Sequence, residues 1–351
     1  MRCCKTSIIT PEGVYQPRER DRPDLRYLSD DSAKDQPWDE HRAWADTLAE
    51  TLADAGLTRP AVRVRDCAEA LFFRLTEAAD TGELMWKLKS APFCHYRHCS
   101  ICQWRRSLRL KAIVMSALPE VLRQYPTARF ALLTLTVRNC NLDDLRATVR
   151  AMNRGFKRLI ERKNWPALGW IRALEVTRGK DGSAHPHFHV LLMLPASYFS
   201  GQAYVPTREW VKRWREVMRL DYDPVCDVRA IRPKARAIAD GLTAGEVQAL
   251  ALRSAVAELV KYATKTADLI AGGPDWLAEY VTQMHGAKAT TSGGVLKGIL
   301  KDVREQDEDD ADLVHVDGDE ESVGDEATET LAYHWRRKNK RYARKVTVTK
   351  A

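Results

Sequence analysis

The chain has 351 residues, 44% of them hydrophobic, and a formal net charge of +8, a length and composition normal for a globular protein with a buried core. Its longest apolar runs, such as Val190 to Leu194, fall far short of the about 20 residues a bilayer span needs. Met1-Arg2-Cys3-Cys4-Lys5 leads into polar sequence with no signal-peptide core, so a cytoplasmic protein with no membrane partner is expected.

The first 37 residues mix Pro, Arg and Asp and read as a loose arm. From Trp38 to about Ala79 the pattern reads as helical, broken near Gly56 to Pro60. Trp44, Leu48 and Leu52 recur at helical spacing, as do Leu71 and Leu75. A cysteine and histidine knot follows at 94–102, and a further helix is predicted from Trp104, fading before Pro119. Residues 38–125 are thus expected to form a helical region carrying the knot.

The next region, 126–300, alternates. Arg129 to Arg138 reads as a buried strand and Asn141 to Lys163 as a helix. Trp170 to Arg178 and His185 to Leu194 read as strands joined at Gly179-Lys180-Asp181-Gly182 into a hairpin. Thr207 to Leu220 reads as a helix and Val225 to Ile231 as a strand. Thr243 and Glu246 have capping-box spacing and open a helix to about Ile270, which Gly272-Gly273-Pro274 stops. This order predicts an α+β fold, an antiparallel sheet with helices packed on it. Residues 301–351 are expected to be an acidic, disordered segment followed by a basic tail.

Charge is unevenly spread. Residues 301–329 carry 14 acidic and 2 basic side chains, and residues 330–351 carry 8 basic and no acidic ones. Subtracting both from +8 leaves residues 1–300 at +12, a balance suited to a polyanion. The acidic segment is expected to compete with DNA for this basic body. Deleting residues 305–329 should then raise DNA affinity, most at low salt; an unchanged affinity would count against it.

His185, His187 and His189 alternate along one strand, so they project from one face. Two neutral imidazoles from such a strand can grip a divalent ion. Pro186 has no N–H for a ladder, so the strand is expected to begin near His187. The third ligand is Glu175, from the partner strand, or His185.

Glu258 and Tyr262 are one turn apart on a helix, with Lys261 and Lys265 beside them. A tyrosine can attack phosphorus when its proton is removed, a glutamate can activate water, and lysines can hold phosphates.

Taken in order, Thr134-Leu135-Thr136-Val137, then His187-Phe188-His189, then Glu258-x-x-Lys261-Tyr262-x-x-Lys265 resemble the plasmid rolling-circle replication initiators. These are His-hydrophobe-His (HUH) endonucleases, here of the subgroup with one tyrosine and an assisting glutamate. The resemblance spans about residues 90–270. It implies a five-stranded antiparallel sheet with helices on its faces, a ferredoxin-like palm. It also implies Mg²⁺ or Mn²⁺ held by the histidines, and Tyr262 attacking origin DNA to leave a 5′-phosphotyrosine and a free 3′-hydroxyl. Glu258 would assist termination. Single-stranded or cruciform-extruded plasmid origin DNA and a host helicase are the implied partners, and a bacterial cytoplasm the implied setting. Transposases and mobilisation relaxases share this chemistry.

Eight cysteines in a reducing compartment are read as metal ligands. Cys94, Cys99 and Cys102 supply three thiolates for tetrahedral Zn²⁺. His98 is the expected fourth ligand, with His95, Cys67 and Cys140 as alternatives. Plasmid initiators that resemble this chain carry a similar cluster followed by Trp-Arg-Arg. Arg105, Arg106, Arg109 and Lys111 then form a basic surface for phosphates. A zinc-containing, non-catalytic DNA-binding regulator is the alternative from another class.

Overall fold

The computed structural model describes residues 8–10, 13–15, 25–77, 84–199, 203–232, 250–253, 255–256, 259, 266–298, 313–314, 316 and 330–345. In chain order these hold β1 (Ile8–Thr10), β2 (Gly13–Tyr15), β3 (Leu25–Tyr27), α1 (Leu28–Asp31), α2 (Pro37–Asp54), α3 (Thr58–Asp66), β4 (Ala70–Glu77) and β5 (Leu84–Ser90). Next come α4 (Ser100–Gln124), β6 (Arg129–Thr136), α5 (Leu145–Ile160), β7 (Gly169–Arg178), β8 (Ala184–Leu194), α6 (Thr207–Met218) and β9 (Cys226–Ala230). The last are α7 (Thr266–Ala271), α8 (Gly273–Gln283), β10 (Thr290–Gly294), β11 (Thr330–Arg336) and β12 (Arg341–Lys345). None of the described helices is long and apolar enough to cross a membrane.

The chain divides into two compact units, residues 1–43, 69–91 and 327–351, and residues 44–68 and 92–326. The first unit holds an antiparallel sheet in the order β3-β12-β11-β4-β5. Three sequence expectations change here. Leu71 and Leu75 lie on strand β4, not on a helix. A spacing of four also fits a period of two, and the buried Phe73 between them, edge-on to Tyr333, reveals the strand. The end of the loose arm is an edge strand, β3, paired to β12. Within the basic tail, residues 330–345 form a hairpin whose buried Tyr333, Trp335 and Tyr342 supply apolar surface between the charges. The fully buried Arg42 lies over the Trp335 ring and bonds Glu69 at 3.0 Å.

The second unit holds the expected five-stranded antiparallel sheet, β10-β7-β8-β6-β9. Alternation along its strands separates two faces. On one, Phe130, Ile171, Ala173, Leu191 and Met193 pack with Val114 and Leu118 of α4 and with Leu252, Ala255, Val256 and Leu259. Residues 250–253 and 255–256 are helical, within the predicted long helix; its capping residues Thr243 and Glu246 lie outside the described residues. On the other face, Phe156 of α5 meets Trp170 and Phe188, and Phe188 meets Trp214 of α6. Gly155 permits the close approach of α5 and α6, since a Cβ there would collide with the Met218 sulfur.

Two boundaries move. Residues 142–144 form a 3₁₀ turn, so α5 begins at Leu145 rather than Asn141. Helix α4 runs through Pro119 to Gln124, because Leu118 and, beyond the proline, Val121 and Leu122 still face the core. That burial offsets the cost of about 3 kcal/mol of an internal proline.

Candidate metal centre

The hairpin of β7 and β8 sets Glu175 directly opposite His187, with Ala173 opposite His189. Glu175, His187 and His189 therefore share a sheet face, and their ligand atoms lie within 4.8 Å of one another. Glu175 Oε2 is 3.1 Å from His189 Nε2 and 3.4 Å from His187 Nε2. Of the two candidates for the third position, it is Glu175 whose carboxylate converges with both imidazoles. His185 faces Thr177 one register step away, and its ring lies 5.2 Å from that of His187.

The far nitrogens are also held. His187 Nδ1 lies 3.2 Å from the His185 carbonyl, to which its N–H can donate. His189 Nδ1 lies 3.3 Å from Thr134 Oγ1. Held this way, each ring turns its Nε2 toward Glu175, the nitrogen through which it would ligate a metal. Thr134 and Thr136 stand opposite His189 and His187 on β6, so the strand read mainly as core also positions an imidazole. Burial alone would raise the Glu175 pKa, but hydrogen bonds and charge from His187 and His189 outweigh it and bring it down to about 2.

Strand β8 begins at Ala184, before the expected His187. Pro186 is tolerated for a local reason. Ala184 exchanges both backbone bonds with Cys140 on the β6 side, so Pro186, two residues on, also faces that side. Strand β6 has ended there, opposite His187, and no ladder bond is lost.

A second cluster joins Cys67, Cys94, Cys99 and Cys102. The Cys67 and Cys94 sulfurs lie 3.6 and 3.7 Å from that of Cys102. Tetrahedral Zn–S bonds of about 2.3 Å separate sulfurs by about 3.8 Å, so the spacing fits one ion. The Cys94 amide donates to Cys67 Sγ and the Tyr96 amide to Cys94 Sγ, each at 3.4 Å. Neighbouring thiols push the Cys67 pKa up, as burial does that of Cys99, while hydrogen bonds from the other three hold Cys94 down.

The fourth member is thus Cys67 and not His98. His98 is buried edge-on to Tyr96 and Tyr280, and burial lowers its pKa to about 3. Cys67 reaches the knot because the Ala68 amide bonds the Pro92 carbonyl, closing a long excursion of chain. A lone cysteine 27 residues before Cys94 carries no local spacing signal.

The expected basic surface is also altered. Arg105 is buried, donating to the carbonyls of Leu313 and Val314 at 2.8 and 2.7 Å. Arg106 donates to the His95 carbonyl at 2.9 Å, and Arg109 is half-buried. Leu313 and Val316 are buried, so these residues of the acidic segment are packed rather than disordered. Glu258, Lys261, Tyr262 and Lys265 lie outside the described residues.

Comparison with known proteins bears on the whole chain. Residues 85–343 match the replication protein family. "Protein rep" of Lactiplantibacillus plantarum is 34% identical over 316 residues, covering 87% of this chain and 94% of that one. "Protein rep" of Bacillus amyloliquefaciens is 34% identical over 284 residues, 78% and 82% of the two chains. "Replication protein" of Staphylococcus aureus is 34% identical over 229 residues, 63% and 93%. No solved structure matches. Long alignments across both units, added to the ordered motifs, show that the chain belongs to the replication protein family, the plasmid Rep proteins that those motifs resemble.

Proposed function

We propose that the chain initiates plasmid replication by nicking one strand of its origin DNA, with Tyr262 as nucleophile and Glu175, His187 and His189 as ligands of a divalent ion. The observation that carries this reading is the convergence of these three side chains on one sheet face. Ligand bonds of about 2.1 Å at right angles separate donors by about 3.0 Å, close to the 3.1 and 3.4 Å between Glu175 Oε2 and the two imidazoles. The mixed donor set favours Mn²⁺, while Mg²⁺ prefers oxygen. Such an ion, when bound, polarises the scissile phosphodiester.

The chain's own groups do the rest. The Tyr262 oxygen forms a bond to phosphorus as the P–O3′ bond breaks. The phenolic proton is lost to solvent and the departing O3′ gains one, leaving a 3′-hydroxyl primer. Glu258 orients water for the terminating hydrolysis, and Lys261 and Lys265 hold adjacent phosphates. Support comes from the helical stripe Leu252, Ala255, Val256 and Leu259, which packs on the sheet face bearing the triad. In the sequence Tyr262 follows Leu259 by three residues, the spacing of that stripe.

The names of the relatives favour replication over transposition or mobilisation, and the triad has no role in a non-catalytic regulator. Zn²⁺ held by the four cysteines would brace the knot. Single-stranded or cruciform origin DNA is the substrate, with a host helicase acting on the exposed strand.

Incubating the protein with labelled single-stranded origin DNA and Mn²⁺ should give a covalent adduct stable on a denaturing gel. Tyr262→Phe should abolish it, and an adduct surviving in that variant would remove Tyr262 as nucleophile. Glu258→Ala should retain the adduct and slow its hydrolysis.

A further inference from the structure

The sheet face opposite the triad carries a separate feature. Neighbouring residues of β7 point to opposite sides, so Arg172 lies across the sheet from His187's partner Glu175. It lines a cavity of about 240 Å³ together with Arg146, Arg150 and Asn153 of α5, Thr291 of β10, and Lys288. Arg146, Arg150 and Asn153 share a helical face, and Arg146 stands in the first turn of α5, the positive end of its dipole. The loop after α8 is fastened there. The Arg146 amide donates to Gln283 Oε1 at 3.0 Å and its guanidinium to the Thr282 carbonyl.

This cavity concentrates positive charge without neutralising it. No carboxylate lines it. Glu279, the acid bonded to the lining residue Gln283, is engaged with its amide at 2.6 Å. No salt bridge among the described residues involves Arg150, Arg172 or Lys288. Arg172 is 7% exposed, and burial lowers its pKa only to about 10, so it stays charged. Its guanidinium lies over Phe156 and Phe188 at 4.8 and 4.2 Å. Its Nε has no hydrogen-bond partner among the described residues, nor has Thr291 Oγ1. Burying a cation is costly without a counter-charge, and ring faces offset only part of that cost.

We propose that this cavity is a phosphate-ester site separate from the catalytic centre, taking either a backbone phosphate of bound DNA or a free phosphorylated nucleotide. Guanidinium and ammonium groups suit phosphate oxygens, and Thr291 and Asn153 add neutral donors. The lining offers no Phe, Tyr or Trp on which a base could stack, so the phosphate is the recognised part. The DNA source rests on the replication reading above; the nucleotide source does not.

The test uses Arg150→Gln/Lys288→Gln, which removes two exposed charges and leaves the buried Arg172 in place. Fluorescence anisotropy with a labelled single-stranded origin oligonucleotide is run over a salt series. Inorganic phosphate and a nucleoside monophosphate are titrated in parallel by calorimetry. If DNA is the source, the variant binds it about three- to tenfold more weakly, and the log–log salt slope falls by about 0.7 for each phosphate no longer neutralised. Adduct yield at saturating oligonucleotide stays unchanged. If the source is a free nucleotide, monophosphate or phosphate binds the parent and not the variant, with DNA affinity equal in both. Equal DNA affinity, equal salt slope and no difference in either titration would overturn the site. Failure of the parent to form any adduct would count against the catalytic reading alone.

Discussion

His187→Ala should lower origin-strand cleavage by about a thousandfold while DNA binding is largely retained, because several kcal/mol of charge stabilisation at the scissile phosphate would go. Glu175→Ala should follow it, since its carboxylate oxygen faces both imidazoles. His185→Ala should not, because that ring stands outside the converging set. Thr134→Val should fall between, weakening Mn²⁺ affinity about 10- to 100-fold, as expected when a ligand loses the partner that orients it. Calorimetric Mn²⁺ titration alongside the cleavage assay separates these cases. A His185 variant that loses Mn²⁺ while the Glu175 variant keeps it would reverse the assignment of the third ligand.

The pH dependence has a defined sign. Glu175 has a folded pKa near 2, below its ordinary value of 4.5. The stability this contributes is complete above about pH 5 and is lost as pH falls from 4.5 toward 2. Above about pH 5 this carboxylate should therefore add no further pH dependence to Mn²⁺ affinity, which a calorimetric titration series checks.

The histidine strand was legible because its signal is local. Histidines at alternate positions beside an apolar run specify a face, and a turn such as Gly179 to Gly182 specifies the partner strand. The first unit was not legible. Its sheet assembles β3, β4, β5, β11 and β12 from three separated stretches of chain, and no local pattern announces such pairing. Leu71 and Leu75 fit both periods, and the charges of 330–345 hid the apolar alternation within them. Arg105 shows the limit of counting cations. Its sequence neighbours suggest a phosphate-facing surface, yet its guanidinium is spent on backbone carbonyls of a segment some 200 residues away. The cations of the α5 cavity sit on α5, on β7 and in the loop before β10, so only folding brings them together.

Cys67→Ser should remove zinc from the purified protein, whereas His98→Gln should leave it roughly stoichiometric. Three thiolates remain in the serine variant, but its hydroxyl is a poor zinc ligand and the tetrahedral set is broken. The consequence for stability is large. Structural zinc contributes about 10–16 kcal/mol of apparent binding free energy in small zinc domains, comparable to or above the whole stability of a typical domain, about 5–15 kcal/mol. The knot joins the end of α3 to the start of α4, so Cys67→Ser should expose this junction to limited proteolysis. His98→Gln instead leaves the four sulfurs in place and disturbs ring packing against Tyr96 and Tyr280, costing about 1–3 kcal/mol. Elemental analysis decides the matter: zinc kept by Cys67→Ser and lost by His98→Gln would return the fourth position to the histidine. Zinc lost only from Cys67→Ser, together with new cleavage near residues 67–102, would show that the metal closes the chain excursion that brings Cys67 to the knot.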